Sequence, residues 1–190
     1  PIVPADIGTT LSATAEKIRA AFPPAKIGLI LGSGLGALAS DTKIVKNLKS
    51  IPYAEIPAFP ESRVPGHANT LVYGEIGGTP VIMMNGRFHF YEGFTMEEVT
   101  RPVRVFDLLG VEALIVTNAA GGVNPSFLVG DIMIINDHIN VSGQSPLHGW
   151  GPSELKYSRK TFSVFPDLTA AYDKKLMAAV REAAAKRENQ

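Results

Sequence analysis

The sequence predicts a mixed α/β fold, and three observations carry that prediction. The apolar runs KIGLIL, VIMMNG and EALIVTN have the length and composition of strands, KIGLIL of one buried on both faces and EALIVTN of another buried strand. Two of them lead into loops of glycine and small residues, GSGLGA and NAAGGVNP, where open α/β sheets place ligands. Other segments carry apolar residues at helical spacing.

Taken in order, residues 9–22 read as an amphipathic helix with Leu11, Ala15, Ile18 and Phe22 on one face, stopped by Pro23-Pro24. KIGLIL follows as a buried strand. NTLVYGEIGGTPVIMMNGR reads as two strands around a Gly77-Gly78 turn. Thr95 and Glu98 form a capping box, so a helix is expected over residues 96–109, ended by Gly110. EALIVTN is a further strand, and GDIMIINDHIN another. Residues 143–165, rich in Gly, Pro and Ser, read as a long surface loop. A long helix is expected over residues 167–188, with Leu168, Tyr172, Leu176, Val180 and Ala183 facing inward.

Composition narrows the function classes. Of 190 residues, 45% are hydrophobic and 19% charged, as in an ordinary globular domain with a sizeable core. Lys+Arg and Asp+Glu both number 18, so no basic excess points to nucleic acid. There is no cysteine, which excludes disulfides and thiolate metal sites. The apolar runs are too short and too broken by glycine to span a membrane, and the first residues lack the build of a signal peptide. A cytoplasmic protein is the expectation by elimination.

Chemistry concentrates in four places. In LILGSGLGAL, Gly32, Gly34 and Ala37 satisfy a dinucleotide fingerprint after a strand. The acidic residue that should confirm it is missing from a strand end; Glu55 stands near the right distance, between prolines. The same loop can cradle a simple anion with backbone N–H groups, Ser33 adding a hydroxyl, or be a plain turn. In NGRFHFYEGF, residues two apart share a face while the backbone is extended. Arg87, His89 and Tyr91 then form a donor face suited to phosphate or carboxylate oxygens. Phe88 and Phe90 point the other way into packing, and Glu92 can turn back on Arg87 or His89 once the extended stretch ends at Gly93. A structural arginine–glutamate pair is the competing reading. His67 lies in a Pro-Gly loop, where histidines are commonly mere surface residues. Asn118, Ala119 and Ala120 follow a strand, small enough either to bring backbone N–H groups to a ligand or simply to pack closely. No histidine spacing suggests a metal site.

The ordered set LGSGLG, PGHA, NGRFHFYEG, TNAAGG and GDIMIINDHIN closely resembles the trimeric class of purine nucleoside phosphorylases, over most of the chain from about Leu11 into the last helix. The resemblance implies a mixed, partly barrel-like sheet flanked by helices, a homotrimer, and phosphorolysis of purine (2′-deoxy)ribonucleosides to free base and (deoxy)ribose 1-phosphate. Phosphate is the co-substrate; no cofactor or metal is implied. By the same resemblance Ser33, Arg87, His89 and the Ala119 N–H bind phosphate, and His67 stands near it on a mobile loop. Tyr91 contacts the ribose, and Glu92 supports the phosphate-binding group. Asn118 sits beside the phosphate and base pocket with Ala119 and Ala120, and Phe162 caps the ribose of a neighbouring subunit. The loop before Phe162 departs from the commoner family wording.

Family members continue beyond the point where this sequence stops, into segments carrying the purine-recognising glutamate and asparagine. The chain is therefore expected to be one nucleoside phosphorylase domain over residues 1–190, truncated at its C-terminal side. Two other classes stay open: an inactive phosphate-binding remnant of such an enzyme, and a dinucleotide-binding oxidoreductase.

Overall fold

The computed structural model describes residues 7–148 and 165–188. Its elements run α1 (Ile7–Ala21), β1 (Ile27–Leu31), β2 (Val45–Pro52), β3 (Thr70–Ile76), β4 (Thr79–Asn85), α2 (Met96–Leu109), β5 (Ala113–Val116) and α3 (Lys174–Glu188), with short 3₁₀ turns at Gly36–Ser40, Tyr53–Glu55 and Phe90–Glu92. The strands form one mixed sheet in the order β2-β3-β4-β1-β5. β2, β3 and β4 are antiparallel neighbours, whereas β1 runs parallel to both β4 and β5. Three strands therefore bring their carboxyl ends to one edge.

Alternation along the central strands divides the core between two faces. Leu71, Tyr73, Ile82 and Met84 face the helical side, with Leu11, Ala15, Ile18 and Phe22 of α1 and Val105 and Phe106 of α2. Val72, Val81 and Met83 face the other side with Val45 and Ala39. Burying a phenylalanine such as Phe106 is worth about 2–3 kcal/mol, and Gly28 makes its seat: a Cβ there would lie 2.9 Å from the Phe106 ring. α2 starts as the sequence predicts. The Thr95 hydroxyl accepts from the Glu98 N–H, the Glu98 carboxylate accepts from the Thr95 N–H, and Gly110 ends the helix in the left-handed region.

The expected helix at 9–22, the hairpin, the helix at 96–109 and the strands at KIGLIL and EALIVTN are all present, and α/β is the fold class, but EALIVTN is not buried: it is the edge strand β5, and Ile115 and Val116 stand exposed because no strand among the described residues covers that edge. One strand was unforeseen, and three further expectations need correction. β2 carries no strand signature in the sequence. It is an edge strand with three lysine or asparagine side chains turned outward and a register break around Asn47, whose φ is +53°, the polar, irregular build that protects sheet edges. GDIMIINDHIN forms no strand, because no neighbouring chain among the described residues offers it a ladder; Ile132 and Ile139 are almost fully exposed. The last helix begins at Lys174 rather than 167, because Asp173 accepts from the Lys175 and Leu176 N–H groups at 2.8 and 2.9 Å and sets the start there. Leu168 and Tyr172 precede it, and Leu168, Leu176, Val180 and Ala183 are exposed rather than inward. The sheet is also open, not barrel-like, among the described residues: β2 and β5 are its edges and do not pair. Most of the loop expected over 143–165 lies outside the described residues.

Candidate anion site at the carboxyl edge of the sheet

The ends of β1, β4 and β5 converge on Thr117. Its N–H and hydroxyl both donate to the Ile30 carbonyl, at 3.0 and 3.2 Å, and its hydroxyl accepts from the Gly32 N–H at 2.8 Å. Arg87, two residues past β4, donates from Nη1 to the Thr117 carbonyl at 2.8 Å. Gly32 is the residue around which this closes. A Cβ on it would lie 2.5 Å from the Thr117 oxygen, 2.8 Å from the Arg87 Nη1 and 2.8 Å from the Asn118 Cα. Ser33 and Gly34 then make an exposed turn, Gly34 at φ +86°. The guanidinium makes no other hydrogen bond among the described residues, so one fork of donors stands at a glycine turn.

Beyond Arg87 the chain stays extended only through His89, at φ −124° and ψ 140°. Phe90–Glu92 is a 3₁₀ turn, closed by Gly93 in the left-handed region. Phe88 is buried, as its face predicts, but Phe90 is half exposed, since the alternation stops at His89 instead of running to Gly93. The turn lays Tyr91 against His89, centroids 4.7 Å apart and 20° from parallel. It also swings Glu92 back: its Oε1 is 2.6 Å from the His89 Nδ1, and both side chains are about nine-tenths buried. A carboxylate only accepts, so the Nδ1 carries a proton and Nε2 is the nitrogen left for a ligand.

Glu92 also accepts from the Ser62 hydroxyl at 3.0 Å and the Arg63 N–H at 2.7 Å. Burial pushes its carboxyl up, but the hydrogen bonds from His89, Arg63 and Ser62 and the charge of His89 together hold it below the usual carboxylate range. His67 stands over Gly86, where a Cβ would lie 2.9 Å from its own Cβ, and its ring is 5.1 Å from that of His89. Its Nε2 is buried without a partner among the described residues. Burial pushes the His67 imidazole down, as do the neighbouring His89 and Arg87 charges, against a weaker upward pull from Glu92.

The structure thus brings Arg87, His89, Glu92, Tyr91 and His67 together, with Gly32 and the backbone of 117–118 beside Arg87. Ser33, Asn118, Ala119 and Ala120 are exposed on the two flanking loops. Phe162 lies outside the described residues. Among those residues no group of three His, Cys, Asp or Glu is placed to hold a metal ion, and no helix is long and apolar enough to cross a membrane. Thr117, Ser62 and Asn69 were not singled out by sequence reasoning, although they lie inside or beside the quoted motifs. The dinucleotide reading fails on geometry. The glycine loop leads into a 3₁₀ turn, not an α-helix whose N-terminus could take a pyrophosphate; β2 is a polar edge strand, and Glu55 lies exposed in the next 3₁₀ turn.

Residues 26–190 match the Phosphorylase superfamily. Over 151 residues the chain is 58% identical to purine nucleoside phosphorylase 1 of Bacillus subtilis, covering 80% of this chain and 52% of that protein. It is 50% identical over 177 residues to the enzyme of the same name from Geobacillus stearothermophilus, covering 93% and 61%. A crystal structure of isoform 2 of purine nucleoside phosphorylase from Schistosoma mansoni, in complex with cytosine and ribose-1-phosphate, superposes with a TM-score of 0.83 at 38% identity, covering 95% of this chain and 61% of that one. The chain spans between half and three-fifths of the length of these relatives. With a match over nearly its whole length and a shared mixed sheet, the chain belongs to the phosphorylase superfamily.

Proposed function

We propose that this chain carries the phosphate side of a purine nucleoside phosphorylase site, and that the reaction is phosphorolysis of purine (2′-deoxy)ribonucleosides of the inosine and guanosine type. The observation that carries the reading is the convergence of Arg87, the Gly32 turn and a His89 oriented by Glu92 at the carboxyl edge of three strands. The names of the relatives, and the ribose-1-phosphate in one neighbour's title, support it.

On this reading Ser33, Arg87, His89 and the Ala119 N–H hold inorganic phosphate, with His67 alongside. A phosphate oxygen bonds to the anomeric carbon as the bond from that carbon to the purine nitrogen breaks. The bonding pair leaves with the base, which takes up a proton. Positive charge develops on the sugar in the oxocarbenium-like transition state, and the fixed phosphate opposes it. Arg87 and His89 are the catalytic donors, and Glu92 acts through His89. With Nδ1 held by Glu92, Nε2 donates to a phosphate dianion as imidazolium, or accepts from the hydroxyl of the monoanion. Tyr91, Asn118, Ala119, Ala120 and Phe162 border the nucleoside. Phosphate is the co-substrate and no cofactor takes part. Residues 1–190 act as one domain of a cytoplasmic homotrimer.

A second reading, a phosphate-binding remnant without turnover, draws support from the share of the relatives' length that the chain spans. One experiment separates them: hypoxanthine release from inosine, with and without phosphate, beside calorimetric titration of phosphate. Phosphate-dependent release, reduced on the order of a hundredfold to a thousandfold in Arg87→Ala, is the expected result. Phosphate binding without release favours the remnant. A folded chain that neither binds phosphate nor cleaves inosine overturns both.

A further inference from the structure

The Ser62–Asn69 loop, which carries His67, is closed by side chains rather than by a ladder. Asn69 uses its amide as a strand uses its backbone: Oδ1 accepts from the Ser62 N–H at 2.9 Å and Nδ2 donates to the Ser62 carbonyl at 2.8 Å. This reciprocal pair fixes the orientation of the amide, since the reverse assignment sets donor against donor. Asn69 sits at φ +52°, a left-handed conformation that asparagine tolerates. Its own carbonyl accepts from the Tyr53 N–H at 2.8 Å, and the buried Tyr53 hydroxyl donates to the Gly86 carbonyl at 2.7 Å.

At the other end of the loop, Ser62 is buried. Its hydroxyl donates to both Glu92 oxygens at 3.0 Å and accepts from the Val64 N–H at 3.2 Å. The connections run in a ring, from Glu92 through Ser62 and Asn69 to Tyr53 and Gly86. His67, at the far end of the loop, meets Gly86 and His89 across that ring. The carboxylate that orients His89 is thus also the carboxylate that anchors the loop of His67.

We infer that Ser62 and Asn69 are positioning residues that hold His67 against Gly86 and His89, so that the anion site is assembled as one unit with a single carboxylate at its root. The inference rests on the phosphate reading above for its consequence, but its geometry is testable without phosphate. A loop that is closed only part of the time weakens apparent affinity by the fraction closed.

The test uses the full 190-residue chain with Asn69→Gly, Ser62→Ala and a core control, Val105→Ala. Glycine adopts the positive φ freely, so Asn69→Gly removes the amide bonds without backbone strain. Two readouts are taken: calorimetric affinity for inorganic phosphate, and the His67 ring by NMR, as its pH titration and its contacts to Gly86. The groups facing His67 are His89, Arg87 and Glu92. The expected result is a loss of phosphate affinity of about tenfold in both loop variants, with the His67 midpoint rising toward its ordinary 6.5 as burial is lost. The His67–Gly86 contacts should fade, and Val105→Ala should lower the melting temperature without either change. Unchanged affinity and unchanged His67 contacts in Asn69→Gly overturn the proposal. If the parent chain binds no phosphate, the phosphate reading fails, and the His67 contacts alone decide: retained in Asn69→Gly they sink the positioning role, lost they uphold it.

Discussion

Gly32 and Gly28 lie four residues apart on the same stretch of chain, and a methyl group at each would act on different things. At Gly32 it meets the Thr117 and Asn118 backbone, which does not yield cheaply, and the end of the Arg87 side chain, which can swing aside. Gly32→Ala should displace Arg87 and weaken phosphate binding by about 1.5–3 kcal/mol, the worth of a charged hydrogen bond, and should also lower the melting temperature, because the Thr117 and Asn118 backbone must move. At Gly28 the methyl meets the Phe106 ring and a Leu114 methyl, so Gly28→Ala should cost stability and leave phosphate affinity alone. Calorimetry and thermal melts on the two variants check the contrast; equal effects of both on phosphate affinity would argue against it. Acid should act on the site through two groups. His67 and Glu92 both have folded values below their ordinary ones, so the unfolded chain takes up protons first as pH falls. Their stabilisation is complete above the ordinary values and drains as pH drops, first below 6.5 for His67 and again below 4.5 for Glu92. Melting temperature against pH should therefore fall from 6.5 downward in the parent, and His67→Asn should lack that first step. At this scale the donor set was legible because side chains two apart share a face of an extended segment. Phe90 was not, because the 3₁₀ turn that swings Glu92 onto His89 breaks the alternation, and nothing in the composition of FYEG marks where it starts.

Among the elements, α2 depends most visibly on a local signal. Thr95→Ala removes the hydroxyl that receives the Glu98 N–H and should cost about 0.5–2 kcal/mol, read as a lower urea midpoint with unchanged slope; an unmoved midpoint would show that tertiary packing alone holds the helix start. The helices α1 and α2 and the β3–β4 hairpin were legible because periodicity, caps and a Gly-Gly turn agree with one another. β2 was hidden because an edge strand is half solvated and lysine-bearing, which reads as loop. GDIMIINDHIN erred the other way: apolar, β-branched composition records what a segment would gain in a sheet, not whether a partner strand is present. α3 shows that a capping aspartate outranks a longer apolar period in fixing where a helix begins.

At the scale of the whole molecule, most of the large apolar side chains exposed among the described residues lie between Ile115 and Val180, including Val123, Val129, Ile132, Val141 and Leu176. Where such side chains lie together they form a surface that partners or apolar dyes bind. The 190-residue chain should therefore bind the dye ANS while keeping a cooperative melt of the α1–β5 core; no dye fluorescence would mean that this surface is covered in solution. The sheet order holds a further consequence, one of timing. Among the described strands β1 comes first in the sequence, yet its two neighbours are β4 and β5, the fourth and fifth. During synthesis it must wait, with both hydrogen-bonding edges open, until most of the described core has followed it. The Gly32 turn gains its Thr117 partner only when β5 docks, so the cradle cannot exist in a chain made only as far as β4. An anion held there would then act as a latch on the finished fold, slowing its opening without hastening its making.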